Sequence, residues 1–405
     1  MEAVKLGLIL VAIIIALRRK VPVGLTLLAM GPFTALIYQV PPATLAEGYR
    51  DVTLSRELIS LTGLVVFITI MGSLLKELGY LDRLATSCRG LYGDSRTAVA
   101  ILPPLVGLMP MPGGSLLSAP LVNSVLSDER YTPHFKCAAN YWFRHLVEFT
   151  WPIYAGIVLT EALTGMPIAR VSLLQVPFTL AMIGIGLLVF VRRIKSEPVP
   201  NPSWLKPLLG IAGSIWPVAV AVLMYGILKL ELSLSALIAL VSLVLLARPS
   251  RKILVGAIRR GLSIKLLMLI FGVLTFQKVL ELSGGIESIP KLATVYDLPP
   301  ELVIFLVCFT IGLLTGIVSA YVGLGYSLLA GLLYQPELNP GYIMLASLSG
   351  FIGVILSPAH LCLILTNNYF GSDLFKVLKT LILPLSLLAV FGWLLYLAGY
   401  GDLFV

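Results

Sequence analysis

The chain has 405 residues, 58% of them hydrophobic and 12% charged, with a formal net charge of +9. Soluble domains carry about 25% charged residues, so this composition excludes a soluble globular protein and places the chain in a lipid bilayer. The basic residues lie between apolar runs rather than among aromatics on a polar face, which argues against nucleic acid as a partner.

The first apolar run, Val4 to Leu17, is followed by the basic cluster Arg18-Arg19-Lys20 and has no small-residue cleavage site. It therefore reads as a first span with its N-terminus outside rather than as a signal peptide. Segments 4–18, 21–39, 58–78, 137–164, 172–191, 207–228, 232–247, 266–282, 341–366 and 380–398 predict about ten transmembrane helices. Two regions remain, 97–126 and 302–335, each a pair of short apolar arms around a Gly-rich break. An arm of about a dozen residues reaches only about 18–20 Å, short of the ~30 Å hydrocarbon core. The expectation is two opposed re-entrant hairpins with tips LMPMPGGS and TGIVSAYVGLG. Lys and Arg are about three times as many in the loops assigned to the inner side as in those assigned to the outer side. This orientation brings the first hairpin in from the cytoplasm and the second from outside, with both termini outside an inner (cytoplasmic) membrane. The four cysteines, Cys88, Cys137, Cys308 and Cys362, lack metal-ligand spacing and read as small apolar residues.

Aligning the halves at an offset of 204 to 207 pairs Glu77 with Glu281, Ser115 with Ser319, Pro152 with Pro358 and Pro177 with Pro384. Each half holds an odd number of spans, so the expectation is an all-α, inverted-repeat transporter. Residues 1–200 form the first repeat, and residues 201–405 form the second, upside-down copy. Four breaks fall at related positions: Pro112-Gly113-Gly114-Ser115, Thr150-Trp151-Pro152, Gly316 to Ser319, and Ser357-Pro358. Broken backbone in a membrane is tolerated where it is buried in protein or lines a polar cavity, and transporters place their sites at such breaks. Ser115 and Ser319 are expected to cap the helices that restart after each tip, offering two anion sites to one cavity. Pro112, Gly113, Gly114, Ser115, Thr150, Ser319 and Ser357 are thus candidate substrate contacts, with Gly113, Gly114 and Ser319 also candidates for holding Na+.

Two five-span halves, opposed hairpins and a Pro-broken helix after each one resemble the ion transporter superfamily of dicarboxylate, citrate and gluconate carriers. The stretch PMPGGSLLSAPLV resembles the signature of an uncharacterised prokaryotic membrane family within that group. The resemblance implies a scaffold domain, a mobile transport domain and a homodimer. Sodium-coupled dicarboxylate carriers of the group have Ser-Asn-Thr at each tip. Here the tips read Gly113-Gly114-Ser115 and Val318-Ser319-Ala320.

The segment AANYWFRHLVEFTWP holds Asn140, Arg144, His145 and Glu148. Asn140, Arg144 and Glu148 recur every four residues and share one helix face. Ionisable residues inside a membrane are costly and point to function. Arg144 is suited to clamp a carboxylate, and His145, Glu148 and His360 are candidates to carry a coupling proton. The competing structural reading is an Arg144–Glu148 ion pair with Arg144 snorkelling to the cytoplasmic side. The matching face of the second half, SLSGFIGVILSP, is made of small residues suited to close packing.

The sequence thus predicts a secondary active transporter, not an enzyme, that moves a small organic anion by alternating access with H+ or Na+ as the coupling ion and no other cofactor. The alternatives are an intramembrane hydrolase using Ser115 with His145 or Ser319 with His360, and an ion channel. No GxSxG or HExxH motif supports the hydrolase.

Overall fold

The computed structural model describes residues 2–19, 21–88, 94–108, 114–196, 205–334 and 337–405. Its described residues are helical almost throughout, with one isolated bridge between Tyr334 and Leu338. Among the described residues six helical runs are long and apolar enough to cross a membrane: Arg56–Glu77, Ile168–Arg193, Leu205–Leu228, Arg251–Leu282, Pro340–Phe370 and Leu374–Leu397. This is a multi-pass helical membrane protein.

The architecture differs from the expected ten spans with two re-entrant hairpins. Counting apolar residues does not show where a helix stops. The predicted span 137–164 is divided into Pro133–Arg144 and Ala155–Thr164. The second piece is ten residues long, about 15 Å at 1.5 Å per residue, half of a hydrocarbon core. Segment 21–39 shortens to a helix of 16 residues, Val23–Tyr38, while segment 232–247 is a 16-residue helix over the expected residues, Leu232–Ala247. The supposed hairpins are pairs of short helices within the bundle: Ser95–Gly107 with Ser115–Val125, and Pro300–Thr315 with Val318–Leu333. The second pair is joined at Gly316, and residues 319–330 are buried without interruption. They pack against Ala155–Thr164, Ile264–Leu282 and Pro300–Thr315 as an inner element of the fold. Pro112 and Gly113, at the first expected tip, lie outside the described residues.

Helices from the two halves of the chain interlock. Val23–Tyr38 packs along Ile264–Leu282, and Pro133–Arg144 packs against Leu361–Phe370 and Leu374–Leu397. The small-residue face of Pro340–Leu356 does what its sequence predicts. A Cβ at Gly312 would strike the Gly350 carbonyl, and one at Gly353 would strike the Phe309 carbonyl, so the two backbones touch. The outer faces are apolar, with Leu188, Leu223, Ile227, Leu246 and Leu394 exposed. Asn140, Arg144, His145 and Ser349 are inside. This inside-out distribution is what a hydrocarbon solvent selects.

Candidate functional site

Two proline-containing breaks form the site. Pro152 lacks an N–H and disfavours helical geometry in the residue before it. The chain stops being α-helical at Arg144, and His145 N–H reaches the Trp142 carbonyl at 3.2 Å in a tighter turn. Helix resumes at Ala155. In the same way Pro358 holds Ser357 extended, with φ −73° and ψ 123°, which ends Pro340–Leu356 before Leu361–Phe370 begins. The two breaks meet in the interior.

Unwinding after Arg144 rotates the residues that follow, so Asn140, Arg144 and Glu148 do not share one face. The guanidinium of Arg144 is buried, 2% exposed, and does not snorkel. Its Nη1 donates to Tyr154 Oη at 3.0 Å, and that hydroxyl donates to the Gly107 carbonyl at 2.5 Å. A Cβ at Gly114 would lie 2.7 Å from Arg144 Nη2, so only glycine lets the guanidinium lie against the start of Ser115–Val125. Asn140 Nδ2 donates to the Ser115 carbonyl at 3.3 Å, while its Oδ1 is buried without a partner among the described residues. Gly114, Ser115, Asn140 and Arg144 are therefore brought together. Replacing Tyr154 with Phe would remove the hydrogen bond from Arg144 Nη1 and the one to the Gly107 carbonyl. Tyr154→Phe is expected to lower stability by about 1–3 kcal/mol, read as a lower melting midpoint in detergent.

Neither serine caps a helix as expected. Gly114 occupies the N-cap of Ser115–Val125, and the Ser115 hydroxyl instead donates to the Cys362 carbonyl at 3.0 Å. Ile317 precedes the turn that starts at Val318, and Ser319 provides no cap. Thr150 faces elsewhere, with its Oγ1 3.3 Å from Thr179 Oγ1. Ser357 Oγ accepts from Ala359 N at 3.2 Å and lies beside Gly316.

The other side of the break holds a second cluster. His145 Nδ1–H donates to the Tyr141 carbonyl at 2.6 Å, and His360 Nδ1–H donates to the Gly316 carbonyl at 2.7 Å. The Nε2 atoms of the two rings face each other at 3.3 Å. The Cys362 sulfur completes a buried group of three donor atoms, all within 4.8 Å of one another. Glu148 Oε1 is 3.8 Å from His145 Nε2, so among the described residues the carboxylate lies beside His145 rather than paired with Arg144. Its Oε2 is buried without a hydrogen-bond partner among the described residues. Glu148 also borders a small cavity of about 10 Å³, room for no more than about one water, whose other polar lining residues are Thr160, Gln175, Tyr321 and Ser347. Among the described residues neither Ser115 nor Ser319 hydrogen-bonds to His145 or His360.

Cys362 is the residue that sequence reasoning missed. Its signal was faint: His360 and Cys362 lie one residue apart just after a proline break, too short a pattern to distinguish a ligand from an apolar filler.

No curated protein matches the chain. The profile of one family, described as a protein of unknown function (DUF401), matches residues 2–398. That match takes in both proline breaks and every side chain of the two clusters, and the chain belongs to the DUF401 family.

Proposed function

We propose that this membrane protein is a secondary carrier for a small organic anion, with the substrate held at Arg144. The observation that carries this reading is the seat of the guanidinium. It lies against Gly114, immediately before the N-terminus of Ser115–Val125. A helix N-terminus carries partial positive charge and exposed N–H groups. Two positive ends thus share one interior spot, an arrangement that an anion offsets. Arg presents a planar fork matched to a carboxylate, and the polar groups of Asn140 and Ser115 lie alongside. Chain breaks flanking the site provide places where packed helices can shift between arrangements. The resemblance to organic-anion carriers points the same way.

The test is uptake by proteoliposomes of radiolabelled mono-, di- and tricarboxylates, with either a Na+ or an H+ gradient imposed. Accumulation above the external concentration supports a carrier, and the gradient that drives it names the coupling ion. Equilibration without accumulation would mean a channel. No movement of any anion under either gradient would overturn the proposal.

A further inference from the structure

We infer that His145, His360 and Cys362 form a binding site for a divalent transition-metal ion of the zinc class, with Glu148 as the fourth ligand. A carbonyl oxygen only accepts, so the contacts to Tyr141 and Gly316 place a hydrogen on Nδ1 of both rings. Neither Nε2 is occupied by that hydrogen, and the two Nε2 atoms point at each other at 3.3 Å. The Cys362 sulfur is the third donor. Such an arrangement calls for a cation at its centre.

The dimensions fit a metal. With Zn–N bonds of about 2.0–2.1 Å, two ligands of a tetrahedral ion lie about 3.3–3.4 Å apart, which is the separation of the two Nε2 atoms here. The outer shell is already in place, because ligating histidines commonly donate the other ring N–H to a carbonyl or carboxylate. Two imidazoles and a thiolate suit zinc-class ions. Charge selects a divalent ion: a Cys362 thiolate and the Glu148 carboxylate together neutralise two positive charges, as a buried site requires. The otherwise unpartnered carboxylate oxygen of Glu148, in a side chain 11% exposed, belongs to that balance. Binding displaces the thiol proton of Cys362 to solvent. The ion ties the break after Arg144 to the first turn of Leu361–Phe370. This inference stands apart from the carrier reading and does not depend on it.

The experiment uses the full chain purified in detergent, with any affinity tag removed and prior metal stripped by a chelator. Co2+ is titrated in, followed by Zn2+ in competition. The expected result is one Co2+ per chain, with the visible absorption of a tetrahedral ion, a thiolate-to-metal charge-transfer band, and loss of both on adding Zn2+. Cys362→Ser should remove the charge-transfer band, and His360→Ala should weaken binding at least about 100-fold. If those variants do not fold, X-ray absorption at the zinc edge of the native chain decides, with one sulfur and three nitrogen or oxygen ligands expected in the first shell. Absence of binding, or a bound ion with no sulfur ligand, would overturn the inference.

Discussion

Arg144→Gln is expected to reduce anion uptake about 10–100-fold while the protein still inserts and folds. Gln keeps a hydrogen-bond donor near Tyr154 Oη, the partner of Arg144 Nη1 at 3.0 Å, but it removes the charge and the planar fork. A hydrogen bond to a charged group is worth about 1.5–3 kcal/mol, which converts to roughly that loss in affinity. Arg144→Lys separates charge from geometry. It retains the positive charge but loses bidentate donation, so intermediate uptake is expected. Melting midpoints for both variants check that the loss arises at the site rather than from unfolding. Full uptake in Arg144→Gln would return the residue to a purely structural role.

Gly316→Ala carries the largest expected effect on stability. Gly316 has φ +64°, in the left-handed region, where a Cβ costs about 1–2 kcal/mol. That Cβ would also lie 2.7 Å from the backbone nitrogen of His360 and 2.9 Å from Ser357 Oγ. Backbone cannot rotate away as a side chain can, and overpacking of this kind costs about 1–3 kcal/mol more. A destabilisation of about 2–5 kcal/mol is expected, measured as a fall in melting midpoint of several degrees. The Gly316 carbonyl also orients His360 through Nδ1, so the same variant should bind Co2+ more weakly. A Gly316→Ala protein that melts with the wild type and binds Co2+ unchanged would show that this turn constrains neither property.

The two clusters divide the break after Arg144 between them. Arg144 turns toward the ends of Ser95–Gly107 and Ser115–Val125. His145 and Glu148 turn toward Leu361–Phe370 and the cavity beside Tyr321. A continuous helix would have placed Arg144 and Glu148 one turn apart on the same side. Here a single interruption aims Arg144 one way and His145 and Glu148 another.

Membrane embedding and helical class were legible in the sequence, because both follow from composition and from the bilayer's demand for internally satisfied backbone. The breaks at Pro152 and Pro358 were legible too, since proline acts on its own neighbours. So was the close packing of Gly350 and Gly353, which needs only small residues on one helical face. The number of long helices was not, because apolar content does not show where a helix such as Pro133–Arg144 ends. Nor were the helix caps, because Ser115 found a longer-range partner in the Cys362 carbonyl. The meeting of His145 with His360, 215 residues apart, and the arrival of Cys362 beside them belong to the tertiary structure alone. Periodicity describes a single helix face, whereas those contacts depend on how two broken helices pack against each other.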